Sequence, residues 1–180
     1  MELHTGKYRK VYSYKSIQYI LAYSCRDLKL DNVLLLIDSS NNKIIKITDF
    51  GLSVAAYKQN KGYIEPGTFA GTRVYMSPEI IRIRVYREFR QDVCFDFDPF
   101  KADIWALGVC LFELITSRMP FESNFDEELL RQQENEYYKT NVYFNMSKPC
   151  QDIIAKMLTT NPDNRIDPFG LLTHQWLQSI

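Results

Sequence analysis

Arg26-Asp27-Leu28-Lys29-Leu30-Asp31-Asn32 is the stretch on which the reading of this chain turns. It sets an Asp, a Lys and an Asn within a few residues, the side chains that phosphoryl transfer needs close together. The Asp accepts the proton of an attacking hydroxyl, the Lys offsets charge on the moving phosphoryl group, and the Asn offers a neutral oxygen to a hard metal ion. The plainer alternative is a charged surface turn ahead of a strand. Immediately downstream, Val33 to Ile37 is a compact apolar run. Lys43 to Thr48 alternates, with Ile45 and Ile47 on one face and Lys46 on the other. Asp38-Ser39-Ser40-Asn41-Asn42 between them is a polar turn cluster, so the pattern predicts a β-hairpin. Thr48-Asp49-Phe50-Gly51 then closes the second strand. An Asp at a strand end is placed to bind Mg²⁺ bridging two phosphates, and Gly lets the chain turn sharply after it. Asp-Phe-Gly is a weak signal by itself. Its weight comes from lying one hairpin beyond Asp27.

Farther out, Ile17, Ile20 and Leu21 have helical spacing, which predicts a short helix over Lys15 to Ser24. Gly51 to Glu79 contains four glycines and little periodicity, so it reads as a long loop, a length that is uncommon without a function. Arg82 to Asp98 is basic first and acidic later, with Phe and Tyr interleaved. Lys101 to Ser117 carries Ile104, Trp105, Leu107, Gly108, Leu111, Phe112 and Ile115 and predicts a buried helix. Asp126 to Glu136 predicts an exposed helix capped by Asn124 or Asp126. Ser147 is placed to cap a helix to about Leu158, closed by Asn161-Pro162, and Asp167-Pro168 starts a final one. The expected fold is mainly α with a small β-hairpin in front.

The chain has 180 residues, 46% hydrophobic and 24% charged, which suits one globular domain. Lys plus Arg and Asp plus Glu both number 22, so no global field draws it to nucleic acid or an anionic membrane. No signal peptide and no stretch of membrane-spanning length are visible. Cys25, Cys94, Cys110 and Cys150 lack metal-binding spacing, and an intracellular, cytoplasmic setting with reduced thiols is the expectation.

Together these stretches resemble the catalytic, C-terminal lobe of eukaryotic serine/threonine protein kinases over roughly residues 17 to 180. The resemblance implies ATP and Mg²⁺ as cofactors and proteins as substrates, with an upstream activating kinase as a further partner. It implies that Asp27 is the catalytic base, that Lys29 contacts phosphate, that Asn32 and Asp49 hold metal, and that Leu34 floors the adenine pocket. Lys two residues after the base is the serine/threonine pattern. Thr68 to Glu79 looks like the end of an activation segment, with Ser-Pro-Glu for the family's Ala-Pro-Glu. Thr72 then matches the hydroxyl that bonds the catalytic Asp and Lys. Thr68 matches the site of activating phosphorylation, and Arg26 the residue that pairs with that phosphate. Asp103-Ile104-Trp105-Ala106-Leu107-Gly108 resembles the family's central helix, whose Asp accepts backbone bonds from the catalytic loop. Arg165 is expected to form a buried ion pair with Glu79, and His174 to pack rather than catalyse. Arg131-Gln132-Gln133, Cys150-Gln151-Asp152 and His174-Gln175-Trp176-Leu177 are similar to the calmodulin-dependent group, and within it to testis-specific serine kinases.

Four departures stand beside this. No Gly-x-Gly-x-x-Gly loop, Val-Ala-x-Lys strand or partner-Glu helix occurs in the 180 residues, so the N-terminal lobe is largely absent. Residues 1–16 then read as a compressed remnant of the hinge. Cys25 stands where the family has His, leaving less bulk under the Phe of Asp-Phe-Gly. Arg82 to Asp98 reads as an insertion, a solvated loop or else a docking loop. Three functional readings follow: a serine/threonine kinase, a truncated or pseudokinase lobe acting as a non-catalytic binding module, or part of a longer product with the full domain.

Overall fold

The structure is a computed structural model that describes residues 23–55, 71–89 and 97–178. Among these residues, two small antiparallel sheets precede a helical body. β1 (Tyr23–Ser24) pairs with β4 (Val54–Ala55), and β2 (Val33–Ile37) pairs with β3 (Lys43–Ile47). The hairpin β2–β3 forms as predicted except that its second strand ends at Ile47, one residue before Thr48, with Val33 opposite Ile47 and Ile37 opposite Lys43. Its turn is held by Asp38, whose Oδ1 accepts from the Ser40 and Asn42 amides at 2.8 and 2.9 Å. Its Oδ2 accepts from Asn42 Nδ2 at 2.9 Å, and the Asn42 bonds hold the carboxyl below the usual aspartate range. Asn41 takes the left-handed conformation (φ 61°), which Asn tolerates better than other side chains.

The helices are α1 (Pro78–Phe89), α2 (Pro99–Thr116), α3 (Asp126–Glu134), α4 (Asn141–Phe144), α5 (Lys148–Met157), α6 (Pro168–Leu172) and α7 (Gln175–Gln178). The body is mostly helical with a small β part, as expected. The central element is α2. Asp98 caps it by accepting from the Phe100 and Lys101 amides, Pro99 occupies the first turn at no hydrogen-bond cost, and Ser117 ends it in the left-handed conformation. Trp105 and Val109 of α2 are fully buried against Ile81 of α1, Leu129 of α3 and Ile153, Ile154 and Met157 of α5. A Cβ on Gly108 would lie 2.9 Å from Met157 Cβ, so the glycine is what lets α5 approach α2 so closely. Trp105 stacks on Phe121, and Tyr138 meets Phe112, Phe121 and Tyr143 edge-on.

Several expectations change. Tyr23–Ser24 form a strand instead of ending a helix, because β4 offers their backbone a partner; Lys15 to Leu21 lie outside the described residues. The expected loop from Gly51 to Glu79 contains β4, a 3₁₀ turn at Arg73–Tyr75 and the start of α1. Arg82 to Phe89, expected in an inserted loop, continue α1. Ile83 is buried with Phe97 and Ala102, while Arg82 and Arg84 pair with Glu134 and Asp126 of α3. Arg82 and Arg84 thus tie α1 to α3, and a packed partner outweighs the weak intrinsic pattern of the segment. Neither Asn124 nor Asp126 caps α3: Phe125 holds the cap position without a side-chain bond. The helix is half-sunk rather than exposed, with Asp126, Leu129 and Gln133 buried. Ser147 sits at the α5 cap position without making a cap bond. The final helix is two short ones, α6 capped by Asp167 and α7 by His174, whose Nδ1 accepts from the Trp176 amide at 3.2 Å. Its Nε2 lies 2.9 Å from Asp152 Oδ2, so the buried histidine serves packing and capping.

Candidate active site

The catalytic-loop candidate runs from β1 to β2, and its shape is imposed from α2. Asp103, one turn into that helix, accepts from the Cys25 amide at 2.8 Å and the Arg26 amide at 3.1 Å. Arg26 there adopts φ 62°, a left-handed conformation that costs a non-glycine residue on the order of 1 kcal/mol and persists only where surroundings enforce it. The paired amide bonds supply that enforcement. Burial pushes the Asp103 carboxyl above the usual range, and the bonds from Cys25, Ser24 and Arg26 pull against it.

Beyond Arg26, four expected site residues meet. Asp27 Oδ1 accepts from both the amide and the hydroxyl of Thr72, each at 2.8 Å. Thr72 Oγ1 in turn accepts from Lys29 Nζ at 2.7 Å, and Lys29 lies 3.1 Å from Asp27 Oδ2. Asn32 Nδ2 donates to the Asp27 carbonyl at 2.9 Å and to Oδ2 at 3.3 Å. Burial alone raises the Asp27 carboxyl, but the Thr72 and Lys29 bonds outweigh it and the net shift is downward. Asp27 is therefore ionised at neutral pH and fixed in direction. The close approach of Thr72 depends on Gly71: its φ is 123°, and a Cβ there would stand 2.6 Å from the Arg26 carbonyl oxygen.

Asp49 reaches the same end of the hairpin by register. Thr48 N donates to Asn32 O at 2.8 Å, so Asn32 and Asp49 flank the joined strand ends. Asp49 has φ 57°, is exposed, and accepts from the Gly51 amide at 3.3 Å. Burial pushes the Cys25 thiol up; a backbone bond at Asp27 pulls it down, and the charges of Asp103, Asp27 and Asp49 add to the rise. Three carboxylates thus surround one loop. Leu34 is 46% exposed on β2. Thr68 lies outside the described residues, as do 1–16.

Hard-metal binding suits this donor set. The Asn32 amide nitrogen is engaged with Asp27, which directs its oxygen the other way, and Asp49 offers an exposed carboxylate. No group of three or more His, Cys, Asp or Glu among the described residues forms a metal site by itself. Mg²⁺ needs none, since it is commonly held by one or two protein oxygens together with phosphates and water.

Arg165 and Glu79 form the expected ion pair through two parallel 2.8 Å bonds. Arg165 is 1% exposed, donates also to the Thr159 and Lys101 carbonyls, and lies over the Trp105 ring. Sequence reasoning missed Arg73, which bonds Ser123, Asn124 and Asp126. Its only local signal is its place beside Thr72. Also missed was Tyr75, whose hydroxyl donates to Glu113 at 2.5 Å.

A family model described as "Protein kinase domain" matches residues 14–177. Serine/threonine-protein kinase 33 of Bos taurus is 30% identical over 159 residues, covering 84% of this chain and 30% of that protein. The mouse (Mus musculus) protein of that name is 33% identical over 161 residues, with the same coverage of both. A putative serine/threonine-protein kinase of Saccharomyces cerevisiae, YPL150W, is 35% identical over 165 residues, covering 91% of this chain and 16% of its own. The chain spans under a third of the length of these relatives. Their names do not single out the calmodulin-dependent or testis-specific group. No described helix is long and apolar enough to cross a membrane.

Proposed function

Since the chain belongs to the protein kinase domain family, we propose that residues 17–180 act as the catalytic lobe of a serine/threonine protein kinase, moving the γ-phosphoryl group of ATP to protein hydroxyls. The observation that carries this is the Thr72–Asp27–Lys29 triangle, which holds an ionised carboxylate beside a cation. Asp27 accepts the proton of a substrate Ser or Thr as its oxygen bonds to the γ-phosphorus. The bond from that phosphorus to the β–γ bridging oxygen breaks, and ADP leaves. Lys29 offsets charge on the transferred group. Asn32 and Asp49 would hold Mg²⁺, which when bound neutralises phosphate charge. Leu34 would lie against the adenine ring. An upstream kinase would phosphorylate Thr68, and Arg26 would pair with that phosphate. Asp103, Glu79 and Arg165 keep the frame in place.

Transfer of label from γ-labelled ATP to a generic basic protein tests the reading. Asp27→Asn is expected to lower incorporation by about 10²–10⁴-fold, the usual worth of a general base. Equal label in wild type and variant would sink it. A second reading, a lobe that binds proteins without phosphorylating them, draws support from the exposed apolar hairpin, where Leu35 and Ile45 are 59% and 69% exposed.

A further inference from the structure

Thr72 gives Asp27 two of its bonds, yet Thr72 is one residue in a short segment between Gly71 and the 3₁₀ turn Arg73–Tyr75. What holds that segment decides how well the carboxylate is held. The turn is pinned on three sides. Tyr75 reaches Glu113 of α2, Gln133 of α3 donates through Nε2 to the Met76 carbonyl at 2.9 Å, and Arg73 reaches the Ser123–Asp126 segment that leads into α3. The Arg73 anchor is the one next to Thr72, and it is the most branched. Nη2 donates to the Ser123 carbonyl at 2.6 Å, and Nη1 donates to the Asn124 carbonyl at 2.7 Å and to Asp126 Oδ1 at 3.3 Å. Asp126 is buried and is itself fixed by Arg84 of α1 at 2.8 Å. The guanidinium fork is thus matched to two carbonyls and to a carboxylate that Arg84 holds in place, the geometry in which Arg cannot be exchanged for Lys without loss.

We propose that Arg73 is a positioning residue: it locks the Ser123–Asp126 segment to Thr72 and through Thr72 fixes the direction of the Asp27 carboxylate. The chain of contacts is continuous, from Asp126, Ser123 and Asn124 to Arg73, from Arg73 along one peptide unit to Thr72, and from Thr72 to Asp27 and Lys29. The segment entering α3 thereby becomes a handle on the base, although it lies about a hundred residues away in sequence. The consequence for phosphoryl transfer rests on the reading of Asp27 as the base. The positional lock itself does not.

The test is amide hydrogen exchange on the full chain, resolved by NMR at Thr72, whose N–H donates to Asp27. Arg73→Ala and Arg73→Lys are compared with wild type. The expected result is faster exchange at Thr72 by about tenfold, the factor that one typical hydrogen bond commands, with the interior amides of α2 unchanged. The effect should be smaller in Arg73→Lys, which keeps a single donor nitrogen with its charge but loses the fork. Where Arg73→Ala loosens α2 as well, Arg73→Lys decides: selective acceleration at Thr72 supports the lock, and unchanged exchange there overturns it. In parallel, kcat for a peptide substrate should fall with KM for ATP unchanged. A wild type that transfers no phosphate counts against the kinase reading and leaves the exchange result to decide the lock.

Discussion

Leu35, Ile37 and Ile45 of the hairpin are 59%, 62% and 69% exposed, whereas Ile81, Val109, Leu129 and Ile154 of the helical body are 0% exposed. The side chains are of the same kinds and the two regions adjoin the same site, so composition does not explain the contrast. The hairpin is held by its backbone ladder and by the Asp38 turn, forces that act over a few residues. The helical body is held by burial around α2, where each fully buried aliphatic side chain contributes about 1.5–3 kcal/mol. A β-hairpin standing by itself is marginal in water. This one is tied at its base by Thr48 to Asn32, and thence to Asp27. The lesson is that the body is a fixed platform, while the hairpin presents apolar surface on both faces, available to whatever packs there.

If the body is the platform, removing its buried charge partner should do the greatest damage. Glu79→Ala strands the Arg165 guanidinium, and a loss of about 3–5 kcal/mol in unfolding free energy is expected from urea denaturation. A loss within about 1 kcal/mol would show that water or another group reaches Arg165, and the comparison would break. A smaller effect should appear at the junction of the two regions. The Asp27 carboxyl lies below its unfolded value, so its stabilisation is complete above the ordinary aspartate range and fades as pH falls through the lowered folded value. The difference in melting temperature between wild type and Asp27→Asn should therefore shrink on acidification below about pH 4. A difference that stays constant or widens would mean that Thr72 and Lys29 do not hold the ionised form. The smallest effect belongs to the hairpin face. Ile45→Lys should change stability by no more than about 0.5 kcal/mol, as for an exposed position. A loss of several kcal/mol would mean that this face is covered in the working protein, and would sharpen the contrast into one of partners.

Much of the site was legible because its signals are local. Asp27, Lys29 and Asn32 lie within one turn-length of chain, and the hairpin that carries Asn32 to Thr48 shows itself in a period of two with a polar turn. Pairings across longer stretches, Asp103 with the Cys25 and Arg26 amides and Glu79 with Arg165, follow only from the family resemblance. No property of the separate residues points from one to the other. Where neither signal existed, the expectation failed. The helical course of Arg82 to Phe89 needed α3 as a partner, and its basic composition argued for a solvated loop. In sequence Arg73 reads as any loop arginine, and only its bonds to the Ser123–Asp126 segment distinguish it.

The amino-acid order by itself determined the turn and strand chemistry of the hairpin, the buried character of α2 and the gathering of Asp27, Lys29 and Asn32 in one short stretch. These depend on steric and hydrogen-bonding preferences within a few residues. Tertiary structure decided the left-handed Arg26 under Asp103, the approach of Thr72 over Gly71, the three-sided hold on the turn at Arg73–Tyr75, and which apolar side chains are covered. Each of those needs two segments far apart in the chain to be brought within hydrogen-bonding or van der Waals distance, and only the packing around α2 does that.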